Sequence, residues 1–350
     1  MKVRRVSLRH FKRFEQLELD FTDPVTQSPR DFVVLVGQNG AGKSTVLQAL
    51  AACLGTVMGK IRRPSGLRWQ NFDLGLAGRS WKQLPAVTVA VEFTEQELRD
   101  TAFMLQQVEP GAPEPALHPL VTVTMSGNDV TCDPPEAQWQ FGGRQYADSL
   151  AKSIGAHLYE NAGYIHWYGD QRNLRNIVLN DPDDPRSGSM ETLRRRLGQW
   201  HWFHDRVARG EYILQPDERD LYVRFQEAYK AVFPHRKLLG AVPDSRVGQV
   251  WKEPLFLLHD GQRQYELREI SGGERAVFPI LFDFINYEIH RSIVLIDEFE
   301  LHLHPPMQQA LVRSLRALGR ENQFIVTTHS NSVVNVLAPD HVVWLKEVTQ

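Results

Sequence analysis

Cysteine is nearly absent from this chain of 350 residues, with only Cys53 and Cys132 present. Two thiols cannot build a disulfide framework or a four-thiolate zinc cluster, and their scarcity suits a reducing compartment. Long apolar runs are missing too. Runs such as Phe32–Val36 and Ile293–Ile296 have the length of a strand, and none approaches the roughly 18 residues of a membrane-crossing helix. The opening MKVRRVSLRHFKRFEQ is basic but has no apolar stretch behind it, which excludes a secretory signal. Neither charge is in excess. With 40 Lys+Arg against 42 Asp+Glu and a net charge of -2, any contact with nucleic acid must come from local patches. Repeats, heptad runs and low-complexity tracts are also lacking. The expectation is a soluble, cytoplasmic protein; 42% hydrophobic and 23% charged residues are ordinary globular values.

Hydrophobic patterning sketches the elements. Residues 3–8 and 14–21 alternate as two strands, and a turn-rich stretch over 22–31 leads to the uninterrupted run Phe32–Val36. Such a run is expected of a strand buried on both faces. Over 43–54, Val46, Leu47, Leu50, Ala51 and Leu54 recur at helical spacing, whereas residues 57–83, rich in Gly, Arg and Trp, give no clear pattern. Strands are predicted over 87–93, 120–125 and 163–168, a Pro-rich loop over 110–119 and a helix over 145–159. Thr94-Glu95-Gln96-Glu97 has the form of a helix cap and first turn. Residues 181–188 carry the strongest loop signal. A helical section over about 190–232 and a β section over 254–267 follow. Helix, strand (292–296), helix (about 306–318) and strand (323–327) complete the chain.

Between the apolar strand at 32–36 and the helix at 43–54 lies Gly37-Gln38-Asn39-Gly40-Ala41-Gly42-Lys43-Ser44. It matches G-x-x-x-x-G-K-S/T in the strand–loop–helix context that this motif requires. Glycines let the backbone wrap a phosphate chain with its N–H groups inward, and the helix N-terminus adds its positive end. Lys43 would reach the β- and γ-phosphates, and Ser44 would offer a hydroxyl to Mg2+. The expected nucleotide contacts run from Gly37 through Gln38, Asn39, Gly40, Ala41, Gly42, Lys43 and Ser44 to Thr45.

Three further segments carry chemistry. The apolar run at 292–296 ends in Asp297-Glu298, where Asp297 would hold Mg2+ through water and Glu298 would orient or deprotonate an attacking water. An ordinary acidic strand end is the alternative. Ser271-Gly272-Gly273-Glu274-Arg275 fits a capping box, so it reads either as a good helix start or as a Ser hydroxyl and Gly amides offered to a phosphate. Pro279, inside that helix, removes one backbone hydrogen bond. Thr327-Thr328-His329-Ser330 closes the last strand, a place from which a His can reach a γ-phosphate.

In this order, GQNGAGKS, EISGGER, VLIDEFELHLHP and IVTTHS resemble ABC-type ATPase heads. The chain is similar to the SMC/RecF branch and to the OLD-like ATPases, whose D-E-x-E-x-H-L-H-P run it carries; the opening VSLRHFKRFEQLELDF also resembles that branch. The resemblance spans residues 1–54 and about 263–347, and the middle matches only loosely. It implies an α/β P-loop NTPase head, a mixed sheet flanked by helices with an α+β insertion. The lobes would be 1–54 and 263–350, and the insertion 55–262. Lys43 and Ser44 would form the Walker A pair, Asp297 and Glu298 the Walker B pair, and His329 the switch histidine. Ser271, Gly272, Gly273 and Glu274 would be the signature, and Glu300 to His304 the D-loop region. Lys12 or Arg13 stands where this branch often places a basic residue near the nucleotide. Gln171 is the leading Q-loop candidate and a metal contact; Gln70 and Gln83 are weaker, and Arg172 could serve.

The resemblance also implies that two ATP molecules with Mg2+ are sandwiched in a head-to-tail homodimer, formed on ATP binding and released by hydrolysis. Lys43, Glu298 and His329 would be catalytic. Neither a long coiled coil nor a C-terminal Toprim nuclease is expected. The expected role is therefore an ATPase controlling a separate effector, a nuclease or toxin, in bacterial phage defence. A RecF/SMC-like ATPase binding DNA in repair or recombination is the alternative, and Glu298 argues against a scaffold with negligible turnover. Arg62, Arg63 and Arg68, and Arg194-Arg195-Arg196, are basic clusters suited to a phosphate backbone or to a solvated face. Trp69 and Trp81 permit base stacking or a partner interface. His201 and His204 fit a packed aromatic helix face better than a metal site, and His302 and His304 belong to the family run rather than to zinc.

Overall fold

The computed structural model describes residues 1–78, 83–169, 190–215, 218–243 and 254–345. In chain order the strands are β1 (Lys2–Phe11), β2 (Phe14–Asp20), β3 (Phe32–Val36), β4 (Ala86–Glu92), β5 (Leu120–Ser126), β6 (Asp129–Asp133), β7 (Ile165–Tyr168), β8 (Lys237–Val242), β9 (Leu255–His259), β10 (Gln264–Glu266), β11 (Ile293–Ile296), β12 (Gln323–Thr328) and β13 (Val342–Trp344). The helices are α1 (Lys43–Val57), α2 (Glu95–Val108), α3 (Gly143–Leu150), α4 (Met190–Ala208), α5 (Leu221–Val232), α6 (Gly272–Asn286), α7 (Pro305–Ala317) and the single turn α8 (Asn331–Val334). None is long and apolar enough to cross a membrane among the described residues.

Two compact units emerge. One comprises Met1–Asp170, Glu288–Glu300 and Gly319–Gln350; the other comprises Gln171–Tyr287 and Leu301–Leu318. They cut across the division at 54 and 262, because β4, β5 and β6 pair in one sheet with β1 and β2. The strands of the first unit form two sheets, an antiparallel one ordered β2-β1-β4-β5-β6 and a parallel one ordered β13-β3-β12-β11-β7.

The apolar runs explain the parallel sheet. Every residue of β3, β11 and β12 is buried, as strands covered on both faces must be. In β1 the buried positions Val3, Val6, Leu8 and Phe11 break strict alternation at a bulge between Val3 and Arg5. At that bulge the side chain of Gln323, itself fully buried, takes over. Its amide oxygen accepts from the Val3 N–H at 2.7 Å, and its nitrogen donates to the carbonyls of Val3 and Arg30, both at 2.9 Å. One glutamine thus satisfies three backbone groups and joins the two sheets.

The second unit packs α4 and α5 against α6, with a three-stranded antiparallel sheet ordered β10-β9-β8. Its core is aromatic: Trp200 stacks on Phe282 at 4.9 Å between centroids, and Phe225 meets Phe278 edge-on at 4.9 Å. The helical section over 190–232 is two helices, since the Asp220 side chain accepts from Val223 N–H and starts α5 afresh. The helix expected over 145–159 stops at Leu150. Ser153 turns its hydroxyl back to the Leu150 carbonyl at 3.0 Å, a local bond that competes with helix continuation. The loop expected at 181–188 lies outside the described residues.

Candidate functional site

Strand order brings distant motifs together. β12 lies between β3 and β11, and all three run parallel, so their carboxyl ends share one edge. Gly37 follows β3, Asp297-Glu298 follows β11, and His329 follows β12. In parallel sheets ligands bind beyond this edge.

The glycine-rich loop has a shape that only glycine allows. Gly42 precedes α1 at φ +94°, and a Cβ there would lie 2.3 Å from the Phe14 ring. α1 begins without a side-chain cap and with no acidic residue in its first turn, so its positive end is not neutralised from within. The Lys43 ammonium curls back over the loop. It donates to the carbonyls of Gly37 (2.9 Å) and Gln38 (3.0 Å) and lies 2.8 Å from His329 Nε2. Burial lowers the Lys43 pKa, against the pull of the Glu300, Asp297 and Glu298 carboxylates.

Asp297, 3% exposed, accepts from the hydroxyls of Ser44 (2.9 Å) and Thr327 (2.6 Å). Glu298 takes a left-handed backbone, φ +45°, which costs a non-glycine residue about 1 kcal/mol or more. Thr327 holds that turn: its hydroxyl accepts from Glu298 N–H at 2.8 Å and its carbonyl from Phe299 N–H at 2.8 Å. Glu300 accepts from the Thr328 hydroxyl and from the His329 N–H, both at 2.6 Å. The backbone of the histidine is thereby tied to the carboxylate strand.

Lys12 and Arg13 run in different directions. Lys12 donates to the Gln48 side chain and the Asn71 carbonyl, each at 2.6 Å. Arg13 runs along the loop instead; a Cβ on Gly40 would lie 3.8 Å from its guanidinium and one on Gly42 2.9 Å from its Cδ. Gln171 and Arg172 lie outside the described residues, as does Trp81. Gln70 and Gln83 are exposed, and the Gln70 carbonyl accepts from Gln48 at 3.1 Å.

Ser271 to Glu274 belong to the second unit. Ser271 caps α6, and α6 runs on through Pro279. The capping box is reciprocal: Glu274 N–H donates to Ser271 Oγ, and the Glu274 carboxylate accepts from Ser271 N–H at 2.9 Å and from its hydroxyl at 2.7 Å. Glu274, placed above among the nucleotide contacts, requires correction. It has no exposed surface and its carboxylate is filled by Tyr229, Tyr265, Arg236 and Ser271, so an anion cannot approach it. The glycines beside it stay near the surface, and a Cβ on Gly273 would come 2.9 Å from the His302 carbonyl oxygen.

Arg194 also departs from expectation. It is buried and pairs with Glu266 at 3.0 Å and the Pro254 carbonyl at 2.9 Å, so it is no part of a solvated basic face. His204 bonds Asp220 at 2.7 Å and His201 accepts from Ala241 N–H at 3.3 Å. Sequence reasoning missed Thr327 as the clasp of the acidic turn, and Tyr229, Arg236 and Tyr265 around Glu274. Thr327 carried a signal, being a hydroxyl at the end of an apolar strand.

A family described as "AAA domain, putative AbiEii toxin, Type IV TA system" matches residues 165–335, and another described as "AAA domain" matches residues 5–128. The chain is similar to the Retron Vc95 probable ATPase of Vibrio cholerae serotype O1 biovar El Tor, at 20% identity over 99% of this chain and 74% of that protein. It is also similar to the Retron Ec83 probable ATPase of Escherichia coli, at 22% identity over 99% of this chain and 71% of that protein. Among solved structures, an SMC head bound to the C-terminal winged-helix domain of ScpA superposes with a TM-score of 0.57 at 14% identity, covering 98% of this chain and 96% of that one. That likeness concerns the fold; the sequence relatives and the motif order carry the activity. The chain is an ATPase whose residues match AAA-domain families over 5–128 and 165–335 and whose fold is that of an SMC head.

Proposed function

We propose that this ATPase binds Mg-ATP in its first unit and hydrolyses it in a head-to-tail pair of copies, as the energy-using subunit that controls a separate effector in bacterial phage defence. The observation that carries the nucleotide reading is the convergence of Lys43, Ser44, Asp297 and His329 at the ends of three adjacent parallel strands. The residues fit the group. An ammonium, an unneutralised helix start and a glycine loop too tight for a Cβ suit a phosphate chain. Ser44 and Asp297 are hard oxygen donors, and among the described residues no three His, Cys, Asp or Glu side chains form a cage. A cation held by few protein oxygens, with water and phosphate completing its shell, is the habit of Mg2+. Bound there, Mg2+ would offset phosphate charge.

The chain's own groups do the rest. Lys43 would exchange its loop carbonyls for phosphate oxygens, Glu298 would orient or deprotonate water, and the Thr327 clasp would keep that carboxylate aimed. Ser271 and the amides of Gly272 and Gly273, from a second copy, would complete the site. The retron relatives and the toxin description of the matching family support the defence role, and the partner-bound SMC head supports a protein effector.

The test is the solution mass of Glu298→Gln, by light scattering with and without Mg-ATP. The 40.2 kDa chain should double its mass with ATP, and Ser271→Arg should prevent it. A mass indifferent to ATP would overturn the paired site. A DNA-gripping role has one observation in its favour: Arg62, Arg63 and Arg68 stand exposed around the buried Pro64, Leu67 and Trp69. Salt-dependent DNA binding lost in Arg62→Glu/Arg63→Glu would select that reading.

A further inference from the structure

Glu274 sits in the interior of the second unit, where a carboxylate requires both a counter-charge and filled lone pairs. It has both. One oxygen accepts from the Tyr229 hydroxyl and, at 2.8 Å, from the Tyr265 hydroxyl. The other accepts from Arg236 at 2.6 Å and from the backbone and hydroxyl of Ser271. Arg236 also donates to the Tyr265 oxygen at 2.8 Å, which closes the ring of bonds. Burial, and then the Glu274 charge, raise the Tyr229 pKa, so its phenol remains a donor at any physiological pH. Tyr265 is raised in the same direction by burial and by Glu274.

The geometry fixes the segment from two sides. Tyr229 lies on α5, Arg236 precedes β8 and Tyr265 lies on β10, so three separate segments grip the first turn of α6. On the other side Gly273 rests against the His302 backbone. Ser271, Gly272 and Gly273 are held between. We propose that Arg236, Tyr229 and Tyr265 are positioning residues which, through Glu274, keep Ser271, Gly272 and Gly273 in the shape that receives the nucleotide phosphates of a second copy of this chain. This rests on the paired-site reading above. Arg236 keeps 24% of its side-chain surface exposed, so water can replace its guanidinium and its loss need not unfold the unit.

The experiment compares full-length Arg236→Gln, Arg236→Lys and Tyr229→Phe, each alone and with Glu298→Gln. Readouts are calorimetric ATP affinity, thermal melting, light-scattering mass with Mg-ATP, and kcat and KM. Arg236→Gln should bind ATP within about twofold of the parent, fail to double its mass, and lose about tenfold in kcat at similar KM. Arg236→Lys should recover part of both. A parent that itself ignores ATP overturns the paired site, and this proposal with it. A parent that pairs alongside an Arg236→Gln variant with full turnover overturns the positioning role alone. Loss of ATP binding together with the melting transition makes Arg236 a fold residue and overturns its positioning role. Tyr229→Phe, which keeps the ring, then decides for the cluster: parental pairing and turnover overturn it, and weakened pairing with intact ATP affinity upholds it.

Discussion

Two of the buried carboxylates, Asp297 in the first unit and Glu274 in the second, are treated in opposite ways. Asp297 is met by two neutral hydroxyls, from Ser44 and Thr327. Glu274 is met by a guanidinium, two phenols and both polar groups of Ser271. Hydroxyl donors exchange readily for a cation or water, whereas a filled ionic cluster resists any exchange. Burial alone therefore does not mark a carboxylate as reactive. The identity of its donors does, and by that measure the first unit is built for substitution and the second for constancy.

The comparison can be broken in several places. The largest effect is expected for Glu298→Gln, which should slow phosphate release about 10²–10⁴-fold while leaving nucleotide affinity intact. An unchanged rate would remove Glu298 from the reaction. Glu274→Ala strands the Tyr229 and Tyr265 hydroxyls and the Ser271 cap together with the Arg236 charge, and should cost about 3–5 kcal/mol in urea unfolding of the chain. Asp297→Ala, which removes the acceptor shared by the Ser44 and Thr327 hydroxyls, should cost about 1–2 kcal/mol; equal losses at the two positions would erase the distinction. Glu300→Gln weakens one of the two bonds tying Thr328 and His329, and turnover should fall about tenfold with little change in melting temperature. The smallest effect concerns the thiols. Burial pushes Cys132 up to about 11 and Cys53 higher, so thiolate appears only as pH rises toward those values. Iodoacetamide at pH 8 should leave the native chain nearly unlabelled, and rapid labelling would mean that the core opens.

Much of the first unit was legible because its signals are local. The strands β3, β11 and β12 announce themselves as unbroken apolar runs, and the groups that matter follow directly at their ends. The short strands β8 and β13 carry no such signal, being set by their neighbours. Lys12 and Arg13 could not be separated in sequence because adjacent residues differ only in the direction that the chain's turn gives them. Arg194 looked like one of three solvated cations; its partner Glu266 lies far along the chain and becomes visible only in the fold. The same holds for Glu274, whose partners Tyr229 and Arg236 stand 45 and 38 positions away. Its capping box was legible, but the cluster beneath it was not.

The place of β12 has a consequence for synthesis. β3 lies between β13 and β12, so both strands that cover its edges leave the ribosome after residue 322. The Gln323 amide that completes β1 must likewise return across 320 positions. Until then the nascent chain carries a five-residue apolar strand with two open edges, followed by an unfinished glycine-rich loop. Such contacts of high sequence separation form late and slowly. The first unit can therefore close only once β12 and β13 have been made, and chaperone demand should be greatest while ribosomes traverse the codons between β3 and β12.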